Sequence, residues 1–246
     1  MHSCRHGTIY IFGQRIFRAS YSTSRTTDDI RTNLRAFFRE TAQPVVVVTS
    51  LTPPTSTPRP DSSRHSKFHG ATLSSFSSIA LDPHPLVAFS LRIPSRMATS
   101  LKNAHVAPPV ASHMVVNVLS AAQEQLAVQF SRPDLYPDPF ASISYSLTEE
   151  GLPVLAGSLG ALSCKLAAAS WPLHDLESLE SKGGRSEQPW EGAGVASELF
   201  IARVTRVETV VLSDEEEGLR TSPLLYYRRA YATTRDLSPS AIEEKT

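Results

Sequence analysis

Gly70-Ala71-Thr72-Leu73-Ser74-Ser75-Phe76-Ser77-Ser78-Ile79-Ala80-Leu81-Asp82-Pro83 carries hydroxyl groups at Thr72, Ser74, Ser75, Ser77 and Ser78 and no breaker between its opening glycine and Asp82-Pro83. The pattern predicts a strand over residues 70–81. In a two-residue repeat, Thr72, Ser74, Phe76 and Ser78 share one face while Leu73, Ser75, Ser77 and Ile79 share the other. Small hydroxyls let a flat ring approach a backbone closely and can donate to its polar edge or to a phosphate. The same composition suits a solvated sheet face, so this run alone leaves both readings open.

Upstream, Val45-Val46-Val47-Val48-Thr49 is a continuous β-branched run, too short for a helix, and reads as a buried strand. Before it, Ile30, Leu34, Phe37 and Phe38 recur at helical spacing, which predicts an amphipathic helix over 28–41 capped by Asp28 or Asp29 and ended by Pro44. Residues 53–69 are dominated by Pro, Ser, Thr and Arg and describe a long surface loop.

Downstream, residues 86–91 read as a strand behind the turn Asp82-Pro83-His84-Pro85, and 97–104 as a short helix. A strand is expected over 114–119, then a helix capped by Ser120 with Leu126 and Phe130 on one face, stopping before Pro133. Residues 159–168 and 198–211 are further strands, and 172–197, rich in glycine, proline and charge, form a second excursion.

Several strands interrupted by short helices, without regular β–α alternation, argue against a doubly wound sheet. The fold class expected is mainly β, a closed antiparallel barrel with helical decoration. Length and composition support one domain: 246 residues, 41% hydrophobic and 20% charged. Formal net charge is zero, which removes the electrostatic pull expected of a nucleic-acid or anionic-membrane binder. No stretch approaches the roughly 18 apolar residues needed to span a bilayer. The only cysteines are Cys4 and Cys164, too few for a disulfide framework or thiolate metal site, and Cys164 sits in an apolar run as a small core residue.

Residues 1–27 contain no acid, while Arg5, Arg15, Arg18 and Arg25 punctuate a Ser- and Thr-rich stretch with interspersed Ile, Tyr and Phe. That is the composition of a mitochondrial targeting segment, one that a matrix-negative potential can draw inward. Arg18-Ala19-Ser20-Tyr21-Ser22 offers a processing site near Tyr21. The expected organisation is therefore a matrix address over 1–27, a single domain over 28–235 and a flexible tail over 236–246.

The chain lacks Gly-x-Gly-x-x-Gly, a phosphate loop, His-Glu-x-x-His and Gly-x-Ser-x-Gly. Its eight histidines are scattered, and none belongs to a His-Glu-x-x-His motif.

The order of the pieces resembles the flavin reductase-like family of FMN-binding split barrels. Pro44-Val45-Val46-Val47-Val48-Thr49 is similar to the family's first strand, and Thr72-x-x-Ser75-Phe76 with Ser78-Ile79-Ala80-Leu81-Asp82-Pro83 to its flavin-contacting strand and turn. Val87-Ala88-Phe89-Ser90-Leu91-Arg92, Ser95-Arg96, Val115-Val116-Asn117-Val118-Leu119-Ser120, Leu126-Ala127-x-x-Phe130, Gly151-Leu152-Pro153-Val154-Leu155 and Pro223-Leu224-Leu225-Tyr226-Tyr227-Arg228 continue the match. It spans about residues 34–231.

Carried over position by position, the resemblance implies that Thr72, Ser74 and Ser75 lie against the isoalloxazine edge and ribityl chain. Ser78, Arg92, Ser95 and Arg96 lie near the phosphate, and Asn117 anchors from the adjacent strand. Phe130, Ser131 and Arg132 close the pocket toward a second subunit, family members being usually homodimers. The residues by themselves also suit blander roles: Arg92 and Arg96 as surface charges, Asn117 as an edge residue, Phe130 as plain core. The implied cofactor is FMN, with FAD the alternative, and the implied reaction is hydride transfer from NADH or NADPH to the flavin. An oxygenase partner goes unnamed. No acid or base is nominated, because the cofactor carries such chemistry.

Three positions depart from the family. Its Gly-Asp-His is replaced by Ala196, Ser197 and Glu198, its Tyr-His-Arg-Gly by Tyr226-Tyr227-Arg228-Arg229, and its Thr-x-Asn-Ser asparagine by Ser74. The lost histidines keep two alternatives open: a non-catalytic flavin carrier, sensor or assembly protein, and an interaction domain that binds no flavin.

Overall fold

The computed structural model describes residues 26–52, 67–107, 110–168, 170–175, 179–180, 196–212 and 217–235. Residues 1–25 of the targeting segment expected over 1–27, most of both expected excursions and the tail 236–246 lie outside them. By its contacts the chain divides into Met1–Phe38 and Arg39–Thr246.

In the first unit, helix α1 (Thr27–Arg39) keeps Ile30, Leu34, Phe37 and Phe38 on its surface, each about half exposed. Its cap is Thr26, not Asp28 or Asp29. The Thr26 hydroxyl accepts from the Asp29 amide at 3.2 Å, and the Asp29 carboxylate accepts from the Thr26 amide and hydroxyl at 3.2 and 2.9 Å. This is a capping box that satisfies two donors reciprocally.

The second unit is built on an antiparallel sheet: β2 (Val46–Leu51), β3 (Phe68–Leu73), β4 (Ser77–Ala80), β5 (Leu86–Ile93), β6 (Met114–Val118), β9 (Gly160–Leu166) and β11 (Ala196–Glu208). They are ordered β3-β2-β6-β9-β11-β5-β4, and β10 (Trp171–Pro172) adds onto β11. A short sheet joins β1 (Gln43–Pro44) to the hairpin β12 (Leu225–Tyr227) and β13 (Ala230–Ala232). Another pairs β7 (Tyr145–Leu147) with β8 (Pro153–Leu155).

The hydroxyl-rich run corrects the expectation of one continuous strand. It is two strands at opposite ends of the sheet order: β3 pairs with β2, β4 pairs with β5, and only residues 74–76 join them. From Leu73 to Ser77 the chain can span at most about 14 Å. The sheet must therefore curl until its two edges nearly meet, and the alternation of faces predicted through Ser78 stops at Leu73. Strand β3 starts at Phe68, so residues 68 and 69 belong to the sheet and not to the preceding loop.

Burial explains the valine run. Val46 and Val48 enter one core cluster with Phe89, Met114, Val116, Cys164 and Phe200, while Val45 and Val47 enter another with Leu119, Ala127, Phe130 and Leu155. A strand covered on both faces needs no polar alternation. In the first cluster Phe89 and Phe200 stack at 5.6 Å between centroids. Burial pushes the Cys164 thiol up to about 12, so it stays protonated and inert.

Helix α2 (Arg96–Val106) seats Met97, Ala98 and Leu101 in the first cluster and is capped by Ser95, whose hydroxyl accepts from the Ala98 amide at 3.0 Å. Helix α3 (Glu124–Ser131) follows a 3₁₀ turn. Gln123 reaches back to the Ser120 amide at 3.1 Å, while the Ser120 hydroxyl donates to the Gly157 carbonyl. No helix among the described residues is long and apolar enough to cross a membrane.

Candidate functional site

The link between β3 and β4 opens onto a cavity of about 940 Å³, within the range of small-molecule sites. One wall is polar. It comprises His69 and Ser74 from β3 and its continuation, Ser90 and Arg92 at the end of β5, and Ser95 and Arg96 at the start of α2. The other wall is aromatic, with Phe68, Phe130, Phe140, Tyr136, Tyr226 and Tyr231. No Asp or Glu lies among the described residues that line it. Two guanidinium groups and an imidazole therefore face the space without an acid beside them in the wall.

The aromatic wall is rigid. Phe140 packs on Phe130 with centroids 5.0 Å apart and on Phe68 at 5.4 Å, and Tyr145 closes the cluster from behind at 5.7 Å from Phe140. Edge-to-face pairs of this kind add to what area burial contributes. Gly70 is the reason Phe130 fits: a Cβ there would overlap the ring. Tyr226 and Tyr231 stand edge-to-face at 5.8 Å on the β12–β13 hairpin.

The expected residues fall into three groups. Ser74, Arg92, Ser95 and Arg96 line the cavity. Thr72, Ser75 and Ser131 also line it, but their hydroxyls are engaged within the protein, and Phe130 lines it with its ring. The Thr72 hydroxyl donates to the Ala127 carbonyl at 2.7 Å, fastening α3 to β3. Ser75 Oγ accepts from the Ser90 amide and donates to its carbonyl, both at 3.0 Å, and so imitates a backbone partner that extends the β4–β5 ladder. The Ser131 hydroxyl donates to the Val128 carbonyl at 2.8 Å.

Three residues lie outside the wall, which corrects their expected placement. Ser78 is exposed on β4, opposite Val87. Arg132 is exposed and forks onto the Asp134 carboxylate at 3.1 and 2.9 Å, and this bond holds the Asp134 carboxyl below the usual range. Asn117 is fully buried. Its Nδ2 donates to the Val47 carbonyl at 3.1 Å and its Oδ1 accepts from the Leu155 amide at 2.9 Å, so it braces β2, β6 and β8 together. A side-chain amide satisfied on both sides inside the barrel has nothing left for a ligand.

His69 was not among the expected residues. It sits one position before the glycine that opens the hydroxyl-rich run, in a segment whose composition reads as loop, and that reading hid it. Burial, then the nearby Arg96 charge, lowers its pKa below the ordinary histidine value, so the ring is neutral at pH 7. Ser197, in the stretch where the family has Gly-Asp-His, also faces the cavity. Its neighbour Glu198 is buried, accepting from Lys102 Nζ and Ser170 Oγ at 3.0 Å each, and ties α2 and the start of the second excursion to β11. Trp171 pairs with Leu199 and is not in the wall. No cluster of His, Cys, Asp or Glu among the described residues could hold a metal.

Known proteins resemble this chain in sequence and in fold. The FMN reductase (NADH) SmoA of Agrobacterium fabrum is 36% identical over 100 residues, 41% of this chain and 51% of its own length. The reductase subunit HsaB of a flavin-dependent monooxygenase from Rhodococcus jostii is 29% identical over 162 residues, 66% of this chain and 63% of its own. This chain thus spans about half to two thirds of these relatives. Among solved structures, nitrilotriacetate monooxygenase component B from Mycobacterium thermoresistibile superposes with a TM-score of 0.57 at 20% identity, over 89% of this chain and 96% of its own. The flavin reductase PheA2 gives 0.53 at 20%, over 83% and 98%. These two likenesses speak to the fold. The model of the flavin reductase like domain matches residues 38–235, which hold every residue of the cavity wall, and the chain belongs to that family.

Proposed function

We propose that the cavity binds the FMN moiety of a flavin and that the protein is an oxidoreductase in which a reduced nicotinamide, NADH or NADPH, delivers hydride to it. The observation that carries the reading is a lining that, among the described residues, holds His69, Ser95, Arg92 and Arg96 with no acid, together with several aromatic side chains. A phosphorylated, planar, largely apolar ligand matches both walls. Charge-assisted hydrogen bonds from a guanidinium to a phosphate stabilise by about 1.5–3 kcal/mol each.

When bound, the flavin supplies a hydride acceptor at N5. The chain's own residues bind and orient. Arg92 and Arg96 hold the phosphate, and the Ser95 hydroxyl, which only accepts from Ala98, keeps its proton to donate. Ser74 offers a donor and acceptor to the polar edge of the ring system. The Phe130–Phe140–Phe68 cluster excludes water from the far wall and holds no titratable group.

Mixing purified protein with FMN and following visible absorbance and tryptophan-excited emission tests the binding step; unchanged spectra at micromolar concentrations overturn it. A second reading, a flavin carrier without turnover, is favoured by Ala196-Ser197-Glu198, which holds no histidine in the stretch where the family has one. NADH oxidation with added FMN separates the two, because a carrier binds flavin and leaves NADH unconsumed.

HsaB is named as the reductase subunit of a monooxygenase. By analogy, the reduced flavin is passed on to an oxygenase. The working unit is a homodimer, to be tested by light scattering of the purified protein. Residues 1–27 direct import into the mitochondrial matrix, a reading supported by their composition alone. Fusing them to a fluorescent reporter tests it, and diffuse cytosolic signal would contradict it.

A further inference from the structure

Glu198 is the one charged residue among the buried positions of β11, where it shares a face with Ala196, Phe200 and Ala202. Both of its carboxylate oxygens are engaged: Oε1 accepts from Lys102 Nζ and Oε2 from the Ser170 hydroxyl, each at 3.0 Å. Its neighbour Ser197 lines the cavity and stands opposite Arg92 in the ladder of β11 with β5. The start of one strand therefore carries a cavity residue at one position and the tether of α2 at the next.

Helix α2 is seated on the core by apolar side chains, Met97, Ala98 and Leu101, and Lys102 with Glu198 is its one ion pair among the described residues. Ser95 and Arg96, at the start of the same helix, line the cavity. Lys102 lies six residues after Arg96, about 9 Å along the helix axis. Apolar contact sets how deep a helix sits but lets it slide or roll by a fraction of a turn. A carboxylate that must meet two donors at hydrogen-bond distance allows neither. Desolvation offsets much of what a buried ion pair contributes to stability, so an apolar pair of similar volume would hold α2 about as firmly. What the pair adds is register.

We propose that Glu198 is a positioning residue for phosphate recognition: through Lys102 it holds α2 at the register in which Ser95 and Arg96 reach the flavin phosphate. The proposal rests on the reading that the cavity holds the FMN moiety. Glu198 itself is no part of the cavity wall. Groups that recognise a ligand must be held within about 0.5 Å of their productive geometry, so a small slip of α2 is enough to lose a phosphate bond while the ring site stays intact. Charge alone predicts otherwise. Any variant that removes the carboxylate would leave Lys102 unneutralised on the helix that carries Arg96 and so tighten FMN, whatever the shape of the new side chain.

The test is calorimetric titration of the full chain with FMN and with riboflavin, repeated on Glu198→Leu and Glu198→Gln, and the readout is the ratio of the riboflavin Kd to the FMN Kd. Lys102 is half exposed and can turn to water when its partner is lost, so Glu198→Leu is expected to fold, which circular dichroism checks. If it does not, Glu198→Leu combined with Lys102→Met, which leaves no unpaired charge, is read in its place. Glu198→Leu should lower the ratio about tenfold, the effect of roughly one charge-assisted bond, with riboflavin affinity unchanged. Glu198→Gln keeps an acceptor for Lys102 and a donor for Ser170, and should stay within about twofold of the wild type. Three results overturn the proposal: a wild-type ratio in folded Glu198→Leu, equal weakening of both ligands, which marks a general packing role, or tighter FMN in both variants, which marks an effect of charge. A wild type that binds the two flavins equally overturns it too and leaves flavin binding intact, whereas a wild type that binds neither overturns the flavin reading itself.

Discussion

Gly70 on β3 faces the ring of Phe130 on α3 with no room for a methyl group between them. The pair sits at the floor of the cavity, so its packing sets both stability and shape. Gly70→Ala is expected to destabilise by about 1–3 kcal/mol, the usual cost of overpacking, and to weaken flavin binding. Because the clash is with one ring, Gly70→Ala combined with Phe130→Leu should recover part of the loss. Strict additivity in thermal melts would show that the two positions do not communicate.

Asn117 holds three strands and touches no cavity. Asn117→Leu strands the Leu155 amide and the Val47 carbonyl without their partner, at a cost of about 1–3 kcal/mol per unsatisfied group. Urea denaturation should report that loss. Flavin affinity of the folded protein should not change, whereas a direct cofactor anchor would lose both.

Arg96 separates phosphate recognition from ring recognition. Arg96→Ala should weaken FMN by roughly one to two orders of magnitude, in keeping with loss of a charge-assisted bond, and leave riboflavin nearly unaffected. Equal losses for both ligands would mean that Arg96 acts on the shape of the cavity and not on the phosphate.

Two imidazoles make stability depend on pH. His113 Nδ1 accepts from the Leu166 amide at 3.2 Å, and burial, then Lys165 and His105, lower its pKa; His69 is lowered by burial and Arg96. A histidine with a folded pKa below its unfolded value near 6.5 binds its proton first in the unfolded chain. Stability is therefore full above about pH 7 and falls as pH drops through 6.5 toward the lower folded values. Denaturation midpoints measured between pH 8 and 5 should show this slope. His113→Asn, which keeps an acceptor but cannot titrate, should flatten it.

What was legible in the sequence was local. The valine run and the helices expected over 97–104 and after Ser120 follow from neighbours within a few positions, whereas Arg92 and Arg96 were expected at a phosphate only through the family resemblance. The missing parts depend on distant partners: the Thr72 hydroxyl is claimed by Ala127, 55 residues on, and Asn117 by Val47, 70 residues back. No spacing rule announces such pairings. The Gly70–Leu81 run misled for a related reason, since its alternation is continuous while its hydrogen-bonding neighbours change from β2 to β5 midway.

The three-residue link between β3 and β4 also bears on how the protein is assembled. The two open edges of the sheet, which in a flat sheet would be templates for pairing with foreign chains, are kept beside each other by a covalent staple. Between them lies the seam that becomes the cavity, and its wall draws residues from Val45 to Tyr231. Strand β5 must find β11 more than a hundred residues later before that seam has a second lip. Contacts of such separation slow folding, so the binding site is a late product of folding that no fragment of the chain can present. A ligand bridging the seam acts as its clasp, and resistance to proteolysis at the β3–β4 link becomes a direct gauge of occupancy.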